Sequence, residues 1–248
     1  MSGFWPILKR ELFVLFVTPL AWVLLFVFLL LQGLHFYILV SHFATQPGLA
    51  VDGGPVQAFF GQTVLVYLPM LFVCPLLTMR AFAEERRSGT IEALLTAPVG
   101  AAGVVLGKYV AVLATYATLW VPTVFYFGLL SRIGEIDWRV VGTGYLGVFL
   151  SGATYLAVGI FASALAKSQL VAAMLAFVAV VGMFMLGLGE FVFPPGMVRD
   201  LSGYVSVWSA MNELSRGVVD SRRLVFAATA TVVALFATVR TVESWRWG

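Results

Sequence analysis

The sequence predicts an all-α integral membrane protein: six transmembrane helices, an N-terminal amphipathic interfacial helix, a short helix in the loop between spans two and three, and short re-entrant helices between spans five and six. Three observations predict it. Hydrophobic residues make up 61% of the chain and charged residues 11%, with a mean hydropathy of +0.98. Apolar runs of about the 20 residues needed to cross a bilayer recur six times. The densest charge run, Glu84-Glu85-Arg86-Arg87, lies between two of them. Six crossings use most of the 248 residues, so the chain reads as one transmembrane domain with no room for a soluble one. A net charge of +3 is better explained by a membrane than by nucleic acid. The single cysteine, Cys74, excludes an internal disulfide.

Residues 1–19 combine Lys9, Arg10 and Glu11 with Phe4, Trp5, Leu8, Leu12 and Phe16, which suits a helix lying in the interface. A signal peptide is the competing reading. The apolar run continues to Val40 with no small-residue cleavage site, which favours an uncleaved helix and a first span over Leu20–Val40. Pro47, Asp52, Gly53, Gly54 and Pro55 mark residues 41–61 as a loop. The second span, about Gln62–Met79, contains Pro69 and Pro75, which commonly kink a helix.

The third span covers Val104–Leu130, with Lys108 near enough to its start to snorkel. Gly103 and Gly107, four apart, suit a close helix approach. A polar loop, 132–139, leads to a fourth span over Val140–Leu165. Lys167, Ser168 and Gln169 turn into a fifth, Leu170–Gly189. Residues 190–223 are Pro-broken and half-apolar, as a re-entrant or surface-lying pair of short helices requires. The last span is Leu224–Val239. Six spans put both termini on one side; if that side is the cytoplasm it holds nine of the fifteen basic residues, which favours this orientation.

The segment 80–103 stands apart. Its four consecutive charges cannot lie in lipid. Behind them Ser88, Gly89 and Thr90 read as a helix start, with Thr90 as cap and Glu92 in the first turn. Ile91, Leu94, Leu95 and Val99 form one apolar stripe, and Pro98 ends the helix. The chain reverses in a few residues at Lys167, yet here it uses about twenty-five. A surface that docks a partner explains that length better than a solvated turn.

Other chemistries fit poorly. Gly103–Lys108 looks like a phosphate loop, but the motif needs Gly where Ala102 stands and Ser or Thr where Tyr109 stands. His35 and His42, seven apart, have neither metal-ligand spacing nor an acidic or Cys cluster. Ser151 and Ser202 precede glycines without a protease motif. No catalytic residue, metal or cofactor is therefore expected. The spans have few mid-membrane ionisable groups, which argues against ion-coupled transport. An uncharged aromatic interior suits a bulky apolar or amphipathic cargo, although aromatics are also ordinary lipid-facing residues.

Several stretches in order resemble the permeases of the type-two ABC exporter class, in the branch associated with gliding motility and nitrous-oxide-reductase maturation. They are Lys9-Arg10-Glu11-Leu12 with Thr18-Pro19-Leu20; Phe82-Ala83-Glu84-Glu85-Arg86-Arg87-Ser88-Gly89-Thr90-Ile91-Glu92 with Leu94-Leu95-Thr96-Ala97-Pro98; Gly107-Lys108; Ser215-Arg216-Gly217-Val218-Val219-Asp220; and Glu243-Ser244-Trp245-Arg246-Trp247. The resemblance implies that segment 80–103 is a cytoplasmic coupling helix seated on a separate ABC ATP-binding subunit through Glu84, Glu85, Arg86, Arg87, Gly89, Thr90 and Glu92. It also implies a dimer of two permease chains in a bacterial cytoplasmic membrane, with ATP and Mg held by the partner ATPase. Two alternatives stay open: a membrane scaffold for a motility or maturation complex, and a secondary transporter.

Overall fold

The computed structural model describes residues 4–45, 54–91 and 99–245. Within them every regular element is a helix. In order come α1 (Phe4–Val17), α2 (Pro19–Thr45), α3 (Gly54–Gln57) running into a π-helical turn (Ala58–Gln62), α4 (Val64–Thr78) and α5 (Ala83–Arg87). After them come α6 (Ala101–Trp120), a 3-10 turn (Val121–Thr123), α7 (Val124–Leu130), α8 (Trp138–Leu165) and α9 (Gln169–Val192). α10 (Met197–Val205), α11 (Val207–Ser215) and α12 (Ser221–Ser244) complete the order. Six segments are long and apolar enough to cross a membrane: Pro19–Thr45, Val64–Arg87, Ala101–Leu130, Trp138–Leu165, Gln169–Val192 and Ser221–Ser244. They coincide with the six predicted spans, and residues 197–215 form two short helices, as the broken sequence there suggests.

The spans divide into two groups. The second, third and fourth bury 61–67% of their apolar windows, whereas the first, fifth and sixth bury 28%. Phe26, Tyr37, Val178, Val232 and Phe236 are among the large apolar side chains left exposed on that outer group. A hydrocarbon solvent is what such surfaces need. α8 is the central post, packed against α4, α6, α9, α11 and α12. Its glycines let neighbours close in: a Cβ at Gly152 would sit 2.4 Å from the Tyr116 ring, and one at Gly144 2.4 Å from Phe60.

Sequence and structure part at residues 54–62. The segment was expected to be a loop, but it is helical, with Phe59 and Phe60 fully buried among Phe127, Tyr145 and His35. The chain breaks at Thr63 (φ −120°, ψ 139°), whose hydroxyl lies 2.7 Å from His35 Nε2. The helix of α4 runs on through Pro69 and Pro75, with Thr78 Oγ1 donating to the Cys74 carbonyl at 2.9 Å.

Candidate functional site

α1, α4, α5 and α6 converge at one end of the bundle, close to the end of α8. α5 is only five residues long, too short to persist by itself in water. Two fixtures from α8 hold it. Ser163 Oγ accepts from the backbone N–H of Phe82 (3.0 Å) and of Ala83 (3.2 Å), so a side chain from another helix satisfies free N–H groups at the start of α5. In return Arg86 Nη1 donates to the carbonyls of Ala164, Leu165 and Ala166 at 3.1–3.3 Å, satisfying the last turn of α8. The Arg86 guanidinium also lies 4.9 Å from the Trp245 ring centroid, beyond the end of α12.

Between α1, α5 and α6 lies a buried three-member charge network. Lys108 Nζ is 2.9 Å from both Glu85 Oε1 and Glu11 Oε1. Only 2% of its side chain is exposed, against 10% for Glu85 and 17% for Glu11. The ammonium also sits 5.2 Å from the Phe82 ring centroid. Lys108 was expected to snorkel outward. It points inward instead, because two carboxylates from remote parts of the sequence converge on it. Gly107 makes the approach possible: a Cβ there would lie 2.9 Å from Ile7 Cγ2 and 3.4 Å from the Phe4 carbonyl oxygen. Gly103 has no comparable neighbour from another helix, so the expected close contact belongs to Gly107 alone.

The residues predicted to meet a partner separate into two sets. Glu85 and Arg86 are turned into the fold. Arg87 is 65% exposed, and Glu84 is half-exposed, lying 3.4 Å from Arg87 Nη2 and accepting from Gln169 Nε2. Ser88, Gly89 and Thr90 are exposed. Ser88 and Gly89 close α5: Ser88 Oγ donates to the Glu84 carbonyl at 2.8 Å, and Gly89 adopts φ +72°, the left-handed conformation glycine takes most cheaply at a helix end; Ile91, directly after Thr90, is again helical. Thr90 Oγ1 is 2.9 Å from Ser88 Oγ. Glu92 and the stripe residues Leu94 and Leu95 lie outside the described residues, as do the N–H groups Thr90 was expected to cap.

Sequence reasoning missed Glu11, Ser163, Gln169 and Trp245 as parts of this junction. Lys108, the one charge in the otherwise apolar α6, was the available signal for a buried partner, while Glu11 sits beside Lys9 and Arg10 and did not stand out. Ser163 carried none.

A second polar cluster lies at the opposite end. Arg223 pairs with Glu213 through Nη2 (3.0 Å) and Nε (3.1 Å), and also donates to the Gly203 carbonyl. Glu190 accepts from Ser206 (2.7 Å) and from Ser209. Among the described residues no group of three His, Cys, Asp or Glu could hold a metal. His35 is buried against Phe59, with ring centroids 4.6 Å apart.

No curated protein matches the chain. A family model described as ABC-2 family transporter protein matches residues 49–221, more than half of the chain and including α5 and the Lys108 segment. Proteins of this family are multi-pass membrane components of ABC transporters, generally working with an ABC ATP-binding subunit, and they are not themselves the catalytic component. Six apolar spans and this match together establish that the chain belongs to the ABC-2 family of transporter permeases.

Proposed function

We propose that the chain is the membrane-spanning half of an ATP-driven exporter in a bacterial cytoplasmic membrane, with both described ends on the cytoplasmic side. Two such chains pair, each beneath one ATP-binding subunit that holds ATP and Mg. The exposed surface at the end of α5, from Arg87 through Thr90, seats on that subunit, together with Glu92 of the expected coupling helix. Closure of the ATPase pair moves this surface. The bulky or amphipathic cargo passes along the interface between the two permease chains. The gliding-motility and nitrous-oxide-reductase-maturation branch is the analogy adopted for the assembly.

The observation that carries this reading is the Glu85–Lys108–Glu11 network. A helix of five residues transmits force only if it is joined to something rigid. Here α5 is joined to α6 and α1 by charge-assisted bonds out of water, where such bonds hold strongly and are costly to break. Displacement of α5 must therefore carry the start of the third span and the N-terminal helix with it. Glu85 and Arg86 belong to this inner linkage, while Glu84, Arg87, Gly89 and Thr90 form the outer face.

The test is coupled turnover in liposomes containing the complete complex. The neutral triple variant Glu11→Gln/Lys108→Met/Glu85→Gln is expected to retain the ATP-binding subunit and basal hydrolysis while losing cargo-dependent stimulation. Full stimulation in that variant would refute the linkage. Absence of any cargo stimulation in the wild-type complex would instead favour a scaffold, and gradient-driven flux without ATP a secondary transporter.

A further inference from the structure

A cavity of about 630 Å³ opens beside the junction, bounded by α1, the α1–α2 elbow, the ends of α4 and α5, and α6. Its walls are of two kinds. One side is apolar, with Leu20, Leu76 and Val112 running from the span ends toward the middle of the bundle. The other is ionic and includes Arg10, Arg80, Glu11, Glu85 and Lys108. The internal pairs leave charge of both signs over. Lys108 is shared by two carboxylates, so that triad carries one net negative charge, and the second oxygen of Glu85, Oε2, is buried without a hydrogen-bond partner. Arg10 and Arg80 have no ion pair among the described residues, and Arg80 Nε is buried without a partner.

A buried polar atom without a hydrogen-bond partner is costly and uncommon in native proteins, and Arg80, itself half-buried, has one such atom as Glu85 does. A single ligand satisfies both faults if it carries an anion for Arg80 and a hydrogen-bonding cation for Glu85. We infer that this cavity binds a phospholipid with a zwitterionic aminophosphate headgroup, that of phosphatidylethanolamine. The phosphate would lie at Arg80 and Arg10, the primary ammonium would donate to Glu85 Oε2, and an acyl chain would follow the Leu20–Leu76–Val112 wall. The site's position at the membrane-proximal ends of four helices suits a lipid, and its apolar half suits no free phosphate. Such a lipid would brace α1 against the end of the second span; Glu84, Arg87, Ser88 and Thr90 also line the cavity, so its binding is read on the chain without an ATP-binding subunit.

The experiment is native mass spectrometry and thermal unfolding of the full chain in delipidating detergent, titrated separately with dioleoyl phosphatidylethanolamine, phosphatidylglycerol and phosphatidylcholine. Phosphatidylethanolamine is expected to be retained and to raise Tm most, because phosphatidylglycerol lacks the cation and the quaternary ammonium of phosphatidylcholine cannot donate to Glu85. Arg80→Gln should weaken retention about tenfold or more, the loss of one charge-assisted contact. Arg10→Gln, at a more exposed position, should weaken it less. Arg132→Gln, remote from the cavity, should leave it unchanged. Equal retention of the three lipids, retention of phosphatidylglycerol above the others, or undiminished binding by a monodisperse Arg80→Gln protein would each overturn the assignment.

Discussion

The two ends of the bundle each hold an ion-pair cluster, built in opposite ways. At the α1–α5–α6 junction Lys108 is 2% exposed and its partners come from 97 and 23 residues away. At the other end Arg223 is 13% exposed and Glu213 37%, and the pair spans ten residues of sequence within one local corner. Desolvation makes the first pair expensive to assemble and more expensive to break, while water screens the second. The difference in burial corresponds to a difference in work. The dry network ties three elements remote in sequence into one body, and the more exposed one fastens the local α10–α12 corner, with Arg223 bonded to Glu213 and to the Gly203 carbonyl.

That contrast sets the order of expected effects. The largest belongs to Lys108→Met, which leaves Glu11 and Glu85 facing each other without compensation. It should cost about 3–5 kcal/mol in detergent unfolding, and the neutral triple variant should recover most of it. A single variant as stable as wild type would remove the distinction between the two ends. Next is Arg86→Ala, which frees three carbonyls at the end of α8 and the Trp245 face. A loss of about 2 kcal/mol is expected, with faster amide exchange confined to α5 and residues near 165. Arg86→Lys should restore only part of it, since one ammonium does not reproduce the guanidinium fork.

Arg223→Ala should cost about 1 kcal/mol and become less harmful in 1 M salt, whereas the Lys108 effect should be almost insensitive to salt. Comparable salt dependence at the two ends would break the comparison. The smallest stability effect belongs to the exchange Glu84→Lys/Arg87→Glu. It keeps an i,i+3 pair but gives up the hydrogen bond from Gln169 to Glu84, and should stay within about 1 kcal/mol of wild type.

Much of this architecture was legible in the sequence because bilayer spans announce themselves. All six predicted spans overlap observed helices, the turn at Lys167–Gln169 closes as expected with Ser168 Oγ accepting from Val171 N–H, and the short pair 197–215 is present. What escaped reading was tertiary. Glycines and prolines around Phe59 and Phe60 gave the composition of a loop, but burial of two aromatic rings outweighed it. Lys108 looked like a snorkelling lysine since nothing local reveals an acid 97 residues away. Glu85 looked like its neighbours, yet a single step around one helical turn separates it, facing inward, from exposed Arg87. Ser88–Thr90 had the residue types of a helix start, and Ile91 is helical directly after them; what those residue types did not reveal is that Ser88 and the left-handed Gly89 also close α5.

The account rests on an outer face that meets an ATP-binding subunit and an inner network that carries its motion. Its most direct test is co-purification of the tagged chain in mild detergent, with the bound proteins identified by mass spectrometry, for wild type and for Glu84→Lys/Arg87→Glu. The account predicts that an ABC ATP-binding subunit is recovered with the wild-type chain and lost from the equally well-folded variant. Failure to recover such a subunit even after crosslinking, or its undiminished recovery with the charge-exchanged variant, would contradict it.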